Sequence, residues 1–227
     1  GDSEPEGNIT RAQGDDGIVW ESALSGGSGG GDTSASGSIT VDTGGDTLKT
    51  LEVQDKDGNW VTINLVAGST TSVAGQHGTL VVNADKSWTY TLAAASEHDK
   101  AAGKDTEKDE NFAVRVTDSD NDVNTSASID ITIKDDGPKA EDDAANQTTE
   151  NAVVTVDALG NDARGADGVN AATGVALVAG SLNAEAKGGV VYNGNGTFTY
   201  TPAAGEEGTV SFDYTITDAD GDTSTAT

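Results

Sequence analysis

The sequence predicts an all-β protein built from two tandem antiparallel β-sandwich domains joined by a short acidic linker. Short runs with alternating apolar residues recur along the chain, and clusters of Gly, Asn, Asp and Thr separate them. Two of these features occur twice: the run Phe112–Asp122 has a counterpart at Phe212–Asp222, and the hairpin Gly78–Thr91 has one at Gly189–Thr201. The alanine-rich segments are too short to stand as helices. The repeat therefore indicates two copies of one β module.

The segment Lys134–Asp143 marks the boundary between the two copies. It contains Gly137-Pro138 flanked by carboxylates, which predicts a short, stiff, charged junction between strands. We expect module 1 to span residues 1–136 and module 2 to span residues 137–227. The matching hairpin and acidic turn are offset by 110 and 100 residues, so module 1 has additional residues between them, in a charged E–F loop over 97–111.

The strands of module 1 follow from alternation between turn residues. We expect them near 17–21, 37–41, 48–54, 60–65, 78–83, 87–91, 112–116 and 125–133. In module 2 we expect strands near 145–149, 152–156, 175–179, in the hairpin 189–201, and at 212–217 and 223–227. The final strand is predicted to be truncated relative to its counterpart, or completed by another chain at the exposed sheet edge.

The charge of the chain restricts its partners. Asp and Glu number 39 against 12 Lys and Arg, a net charge of −27, which excludes nucleic acid and disfavours anionic membrane surfaces. No apolar run is long enough to insert into a membrane. Such charge with 34% hydrophobic residues raises disorder as an alternative, but the alternating segments favour order that depends on a cation. Cysteine is absent, so disulfide bonds cannot stabilise the domains as they do in many secreted proteins, and a bound metal is the candidate that takes this role.

The duplicated acidic turns predict calcium binding. Asp118, Asp120 and Asp122 alternate in one turn, and the same pattern recurs 100 residues later. Three carboxylates so close repel one another unless a cation lies among them, and an oxygen-only set suits Ca²⁺. In a sandwich of this connectivity the B–C and F–G loops share one pole, so the module 2 turn should face the linker. The predicted ligands are Glu21, Asp118, Asp120, Asp122, Asp135, Asp136, Asp142, Asp143, Asp162, Asp167, Asp218, Asp220 and Asp222.

Plainer interpretations of the acidic segments stay open. A turn rich in Asp can be a solvated hairpin end, and Asp55–Gly58 fits that description best. An EF-hand is excluded because its sixth position, where Gly is needed, holds Val123 in one copy and Thr223 in the other. The glycine-rich stretch Gly26–Asp32 does not repeat, so we interpret it as a flexible loop rather than a calcium β-roll.

The sequence offers little for catalysis, and we expect no enzymatic activity. The chain has two histidines, His77 and His98, and no cysteine, which leaves no metal-ligand spacing for a catalytic centre. No Gly-x-Ser-x-Gly elbow is present, and no carboxylate pair stands out in so acidic a chain. A surface role is expected for His77, which precedes a strand in a Gly-rich turn.

Several motifs resemble a known class of repeats. They are Glu141-Asp-Asp143, Ala158-Leu-Gly-Asn-Asp162, Gly196-Thr-Phe-Thr-Tyr-Thr-Pro202, Thr217-Asp-Ala-Asp-Gly-Asp222, Val73–Leu80 and Lys134–Pro138. As a set they resemble the cadherin-like and VCBS-type (bacterial Ig-like) tandem modules of large RTX adhesins of Gram-negative bacteria. In module 1, Asn121 and Val123 depart from the usual Gly and Thr, and the charged E–F loop is atypical.

The resemblance implies a location and a metal. It implies export by type I secretion and a place at the bacterial cell surface, where modules of one polypeptide stack into a stalk for adhesion or biofilm formation. It also implies interdomain Ca²⁺ held by Asp135, Asp136, Asp162, Asp218, Asp220 and Asp222, with Glu21 resembling the glutamate after the first strand. Neighbouring modules are then the partners of an otherwise monomeric chain.

Three hypotheses about function follow from these observations. The leading one is a pair of calcium-stabilised extender modules in which calcium at the junction makes the chain rigid. The alternative is a ligand-binding module near the adhesin tip that recognises a glycan or peptide, through calcium or through the face around Trp20 and Trp60. A weaker third hypothesis is an accessory domain of a secreted hydrolase.

Overall fold

The computed structural model describes residues 6–11, 17–98 and 107–227. The chain divides into two compact units, each an all-β body with its own core. The first takes the described residues up to Leu24 and from Gly30 to Asp135, and the second takes Ser25–Gly29 and Asp136–Thr227. Among the described residues the only helical element is a 3₁₀ turn at Glu21–Ala23.

The described residues of the first unit form ten strands. They are β1 (Glu6–Arg11), β2 (Ile18–Trp20), β3 (Ser34–Asp42), β4 (Leu48–Gln54), β5 (Trp60–Thr62), β6 (Thr70–Ala74), β7 (Gly78–Asn83), β8 (Ser87–Leu92), β9 (Glu107–Asp118) and β10 (Val123–Lys134). One sheet has the order β1-β3-β8-β7-β6 and the other β2-β10-β9-β4-β5. All neighbours are antiparallel except β2 and β10, which run parallel with Lys134 opposite Trp20.

The core of the first unit follows from alternation along its strands. Phe112, Val114 and Val116 of β9 point inward at every second position and are buried. They pack in one cluster with the buried Ile residues of β10 and with Trp88 and Tyr90 of β8. The same inward face of β9 continues to Glu110 at one end and to Asp118 at the other, and both are buried. Strand register therefore places a carboxylate at each end of an apolar row.

Glu110 is the centre of a buried hydrogen-bond network. Its carboxylate accepts hydrogen bonds from the Tyr90 hydroxyl and the Gln76 N–H, and its Oε1 accepts the His77 N–H at 3.3 Å. Burial and the neighbouring Glu110 raise the pKa of Tyr90 far above its ordinary value, so the phenol stays a donor. Gly78 leaves room for this network, because a Cβ there would lie 2.5 Å from the Tyr90 hydroxyl oxygen. A buried carboxylate is tolerated here because donors surround it.

The second unit is smaller and has two three-stranded sheets. Its strands are β11 (Val154–Asp157), β12 (Val175–Leu177), β13 (Gly189–Tyr192), β14 (Thr197–Thr201), β15 (Tyr214–Thr217) and β16 (Thr223–Ala226). The sheet orders are β11-β14-β13 and β12-β15-β16. Phe198 is the centre of the core, with ring centroids 4.9 Å from Tyr192, 5.3 Å from Phe212 and 5.9 Å from Tyr214. Packing of these aromatic side chains therefore stabilises the second unit, whose strands are short.

The strands differ from the sequence expectations in several places. β1 and β6 were not expected, because their sequences alternate only weakly between apolar and polar residues. The strand predicted near 145–149 is wrong: residues 144–150 are exposed coil, since the segment has no large apolar side chain to bury. β9 begins at Glu107, so the C-terminal part of the loop predicted over 97–111 is strand. Residues 99–106 of that loop lie outside the described residues.

Candidate metal centres

The acidic turn of the first unit begins at a buried carboxylate. Asp118 is the last inward position of β9 and is 0% exposed. Its Oδ1 accepts the Asp122 N–H at 2.9 Å, and its own N–H donates to the Asp122 carbonyl at 3.1 Å, which closes the turn. Its Oδ2 is buried and accepts no hydrogen bond from an N–H or hydroxyl group of the described residues. Burying a carboxylate oxygen in this way is costly unless a cation lies beside it.

Two further carboxylates lie beside Asp118. One ligand atom each from Asp46, Asp118 and Asp120 lies within 4.8 Å of the other two. Asp46 comes from the loop between β3 and β4, and the Ser119 hydroxyl donates to its Oδ1 at 3.5 Å. The pKa of Asp120 is raised to about 6, mainly because its carboxyl group shares a hydrogen bond with Asp118 and also through burial and neighbouring negative charge. The turn therefore concentrates negative charge on one point.

The second unit repeats this arrangement. Asp218 follows β15, is 7% exposed, and accepts the N–H groups of Gly221 at 3.0 Å and Asp222 at 2.7 Å on Oδ1. Its Oδ2 is buried and, within the part of the chain that the structure describes, receives no N–H or hydroxyl donor. Ligand atoms of Asp218, Asp220 and Asp222 lie within 4.8 Å of one another. Burial, followed by a hydrogen bond shared with Asp220, raises the pKa of Asp218 to about 7.

Glu21 lies in a different centre of the first unit. Its Oε1 accepts the backbone N–H and the hydroxyl of Ser96, both at 2.8 Å. Its Oε2 lies 4.0 Å from His98 Nδ1, and Asp135 Oδ1 lies 3.3 Å from the same nitrogen. The side chains of Glu21 and His98 are fully buried. The sequence analysis did not find His98 as a site residue, because His98 is more than 70 residues from Glu21 along the chain and carries no motif.

The other predicted ligands mainly serve the packing of the second unit. Asp162 accepts the Glu141 N–H at 2.8 Å, and with Asp143 it accepts the buried Tyr214 hydroxyl. Asp142 accepts the Thr227 N–H at 2.9 Å, and Asp136 accepts the Ala166 N–H at 3.0 Å. None of these four belongs to a group of three metal-ligating side chains among the described residues.

Asp167 lies beside the acidic turn of the second unit. A carboxylate oxygen of Asp167 lies within 4.8 Å of one from Asp220. The loop before β12 therefore contributes a carboxylate next to the acidic turn of the second unit. That the predicted ligands meet at a joint between two modules stays a prediction.

The two raised pKa values predict an unusual pH dependence for the metal-free protein. A carboxyl group whose pKa is raised from 3.8 in the unfolded chain to about 7 or 6 in the fold binds its proton more tightly when folded. Its contribution to stability is therefore present at low pH and is lost as the pH rises through the folded pKa. In EDTA we expect the thermal midpoint to rise when the pH falls from 8 to 5. Differential scanning calorimetry measures this, and Asp218→Asn should flatten the dependence of the second unit.

The comparisons with known proteins identify the class of these modules. The fold and the repeated acidic turn define tandem β-sandwich modules of the Ig-like and cadherin-like class. Residues 26–135 match the bacterial cadherin-like domain, and residues 135–227 match the bacterial Ig domain. The two matches together span residues 26–227, and the resemblance found in the sequence to bacterial Ig-like and cadherin-like modules is confirmed. A search of curated proteins gives no match.

Two solved structures illustrate how distant the structural likenesses are. One is the Bacteroides ovatus mixed-linkage glucan utilization locus protein SGBP-B in complex with a mixed-linkage heptasaccharide, with 13% identity, a TM-score of 0.25, and coverage of 97% of this chain and 46% of that chain. The other is a biofilm associated protein, BSP domain, with 12% identity, a TM-score of 0.21, and coverage of 99% and 28%. The chain therefore spans less than half the length of these structures, and scores this low carry no argument about function.

Proposed function

We propose that this chain is a pair of calcium-stabilised structural modules of a bacterial surface adhesin. The observation that carries the proposal is the buried first carboxylate of an acidic turn, Asp118 in one unit and Asp218 in the other. Each has one oxygen fixed by the turn and one oxygen facing other carboxylates. A bound cation would satisfy that second oxygen and hold together loops that otherwise repel.

The donor set favours calcium over other metals at the acidic turns. Each group consists only of carboxylates, and no histidine belongs to either among the described residues. Ca²⁺ takes six to eight oxygen ligands in flexible geometry, and turn carbonyls and water complete such shells. Mg²⁺ needs a near-ideal octahedron of shorter bonds, which an irregular turn provides less well. The net charge of −27 adds to the benefit of a divalent counter-ion.

The proposal places the modules outside the cell. Calcium is plentiful there, so ion binding adds folding free energy where disulfides are absent. Neighbouring modules of the same polypeptide are the proposed partners, and export by type I secretion follows from the resemblance alone. Among the described residues, no helix has the length and apolar character needed to cross a membrane. Catalysis has no part in the proposal.

The alternative, a ligand-binding module, receives less support from the exposed aromatic residues. Trp20 is 41% exposed on β2, whereas Trp60 is on β5, at the opposite edge of the same five-stranded sheet. The Trp60 ring is covered by the Arg115 guanidinium at 4.3 Å, and Glu52 holds that guanidinium by two hydrogen bonds of 2.6 and 2.8 Å. Three strands separate the two tryptophans, so they do not form one stacking platform.

Calcium titration by calorimetry tests the proposal directly. We expect at least one ion per acidic turn, with Mg²⁺ binding more weakly. The paired variant Asp118→Asn and Asp120→Asn should lose the ions of the first unit, and Asp218→Asn with Asp220→Asn those of the second. Asp55→Asn is a matched control, because Asp55 lies in a plain hairpin turn where Asn59 and Asp57 N–H groups occupy its carboxylate. Absence of calcium binding, or its persistence in all variants, would overturn the proposal.

A glycan and peptide array in millimolar calcium separates the two functions. Structural modules should give no specific signal, whereas a ligand-binding module should give one that Trp20→Ala or Trp60→Ala removes.

A further inference from the structure

We propose that Glu21, His98 and Asp135 form a site for a divalent transition metal such as Zn²⁺, distinct in chemistry from the acidic turns. Three groups that can ligate a metal come together from distant parts of the first unit, and one atom of each lies within 4.8 Å of the others. The set differs from the acidic turns because it includes an imidazole nitrogen. The inference does not depend on calcium binding at the turns.

The fold brings the two carboxylates together through strand register. β2 and β10 are parallel neighbours, and Trp20 lies opposite Lys134. Glu21 and Asp135 are the next residues along each strand, so they lie side by side at the same end of the sheet. His98 arrives from the segment that follows β8, and Ser96 of that segment binds Glu21. The sheet thus places two of the three ligands, and the segment after β8 adds the third.

The distances fit a tetrahedral metal site. Zn²⁺ with bonds of about 2.0–2.1 Å holds neighbouring ligand atoms about 3.3 Å apart. His98 Nδ1 and Asp135 Oδ1 are 3.3 Å apart, and His98 Nδ1 and Glu21 Oε2 are 4.0 Å apart. Shortening the distance between Glu21 and His98 by about 0.7 Å gives both carboxylates this spacing from the imidazole, and the ligand atoms of Glu21 and Asp135 lie within 4.8 Å of each other. Water would supply the fourth position, as in other three-ligand zinc sites.

The surroundings of Glu21 support a preorganised ligand. Both Ser96 donors occupy Oε1, so the orientation of the carboxylate is fixed and Oε2 is directed at His98. Hydrogen bonds of this kind orient ligands in metal sites and affect affinity. The side chains of Glu21 and His98 are 0% exposed and that of Asp135 is 6% exposed. A metal would offset the burial of two carboxylates.

The donor types separate this site from a calcium site. Imidazole suits Zn²⁺ and other late first-row metals, whereas Ca²⁺ takes oxygen ligands almost exclusively. The rival structure is a metal-free contact in which His98 pairs with Asp135 and Glu21. The two differ in one observable respect: only the metal site makes the His98 nitrogen respond to Zn²⁺.

Nuclear magnetic resonance of the two histidine rings gives a direct test on the whole chain. The sequence contains only His77 and His98, so His77→Gln assigns both sets of ring signals. In saturating calcium, we expect Zn²⁺ to shift the His98 signals and to saturate at one equivalent, while the His77 signals stay in place. Unchanged His98 signals in a tenfold excess of Zn²⁺ would overturn the proposal, and so would displacement of Zn²⁺ by equimolar Ca²⁺.

Variants measure how much His98, Glu21 and the orienting Ser96 contribute to affinity. Calorimetry with Zn²⁺ should show affinity at least tenfold lower in His98→Gln and in Glu21→Gln, and about tenfold lower in Ser96→Ala, which removes an orienting hydroxyl. His77→Gln is the matched control and should bind as the parent does. Far-ultraviolet circular dichroism checks that each variant is folded. Parent-like Zn²⁺ affinity in folded His98→Gln would refute the site.

Discussion

Millimolar calcium is expected to raise the thermal midpoint of the second unit by roughly 10–20 °C over the protein in chelator, and that of the larger first unit by a smaller amount. A ligand that binds only the folded state adds about 2.7 kcal/mol when its free concentration is 100 times Kd. For a domain of 60–100 residues, such as the second unit, each kcal/mol shifts the midpoint by about 4–8 °C, and the shift is smaller for a larger domain such as the first unit. The effect should be large because the alternative to the ion is a buried carboxylate beside its neighbours, as at Asp118 and Asp218.

The distribution of aromatic residues allows each unit to be followed separately. The three tryptophans are Trp20, Trp60 and Trp88, all in the first unit, while three of the four tyrosines are in the second. Tryptophan fluorescence therefore reports unfolding of the first unit, and the tyrosine band in near-ultraviolet circular dichroism mainly reports the second. In Asp118→Asn we expect the calcium shift to vanish from the fluorescence transition only, and in Asp218→Asn from the tyrosine transition only.

The metal-free forms of the same variants provide a second measurement. An Asn at 118 keeps the oxygen that accepts the Asp122 N–H and removes a buried negative charge. In chelator, Asp118→Asn should therefore be at least as stable as the parent, although it is less stable than the parent in calcium. A variant destabilised equally in both conditions would mean that Asp118 serves packing alone.

Replacing Glu110 with Ala is expected to destabilise the first unit by about 2–4 kcal/mol, because buried donors left without an acceptor cost about 1–3 kcal/mol each. The Tyr90 hydroxyl is fully buried and loses its acceptor, and the N–H groups of Gln76 and His77 lose theirs. Urea unfolding in calcium, followed by tryptophan fluorescence, measures the loss.

Two companion variants give this prediction its controls. Glu107→Ala lies on the same strand but at an exposed position paired with Lys134, so it should cost less than about 1 kcal/mol. Tyr90→Phe removes the hydroxyl donor and should recover part of the loss when combined with Glu110→Ala. Equal destabilisation by Glu107→Ala and Glu110→Ala would show that the buried network adds no more to the free energy of unfolding than an exposed ion pair does.

Strand alternation made much of the fold and the central part of the site predictable. The apolar residues of Phe112–Val116 alternate, so the inward row extends without interruption to Asp118, and Tyr214, Ile216 and Asp218 repeat it. Period-two geometry thus dictates that the first carboxylate of each turn is buried. The all-β class followed from the same alternation, because each buried row needs a second sheet to cover it.

Long-range convergence could not be predicted in the same way. The network of Glu110 depends on a hydrogen bond to Tyr90 from another sheet, and no local pattern marks either residue. His98 lies in a segment without secondary structure, and only the tertiary fold brings it to Glu21 and Asp135. In the second unit, Asp143 and Asp162 resemble ligands by composition, yet Tyr214 occupies them. Composition predicts the chemistry available, and the fold decides which groups meet.

The parallel pairing of β2 with β10 has a consequence for the folding kinetics of the first unit. Ile18 lies opposite Thr132, so one sheet closes only after more than 100 intervening residues have been synthesised and positioned. Contacts of such long sequence separation slow the search for the native topology, because loop-closure entropy is lost before they form. The first unit should therefore refold in milliseconds to seconds, the range typical of β-sandwiches. During synthesis, β2 would therefore have no partner strand until β10 has left the ribosome.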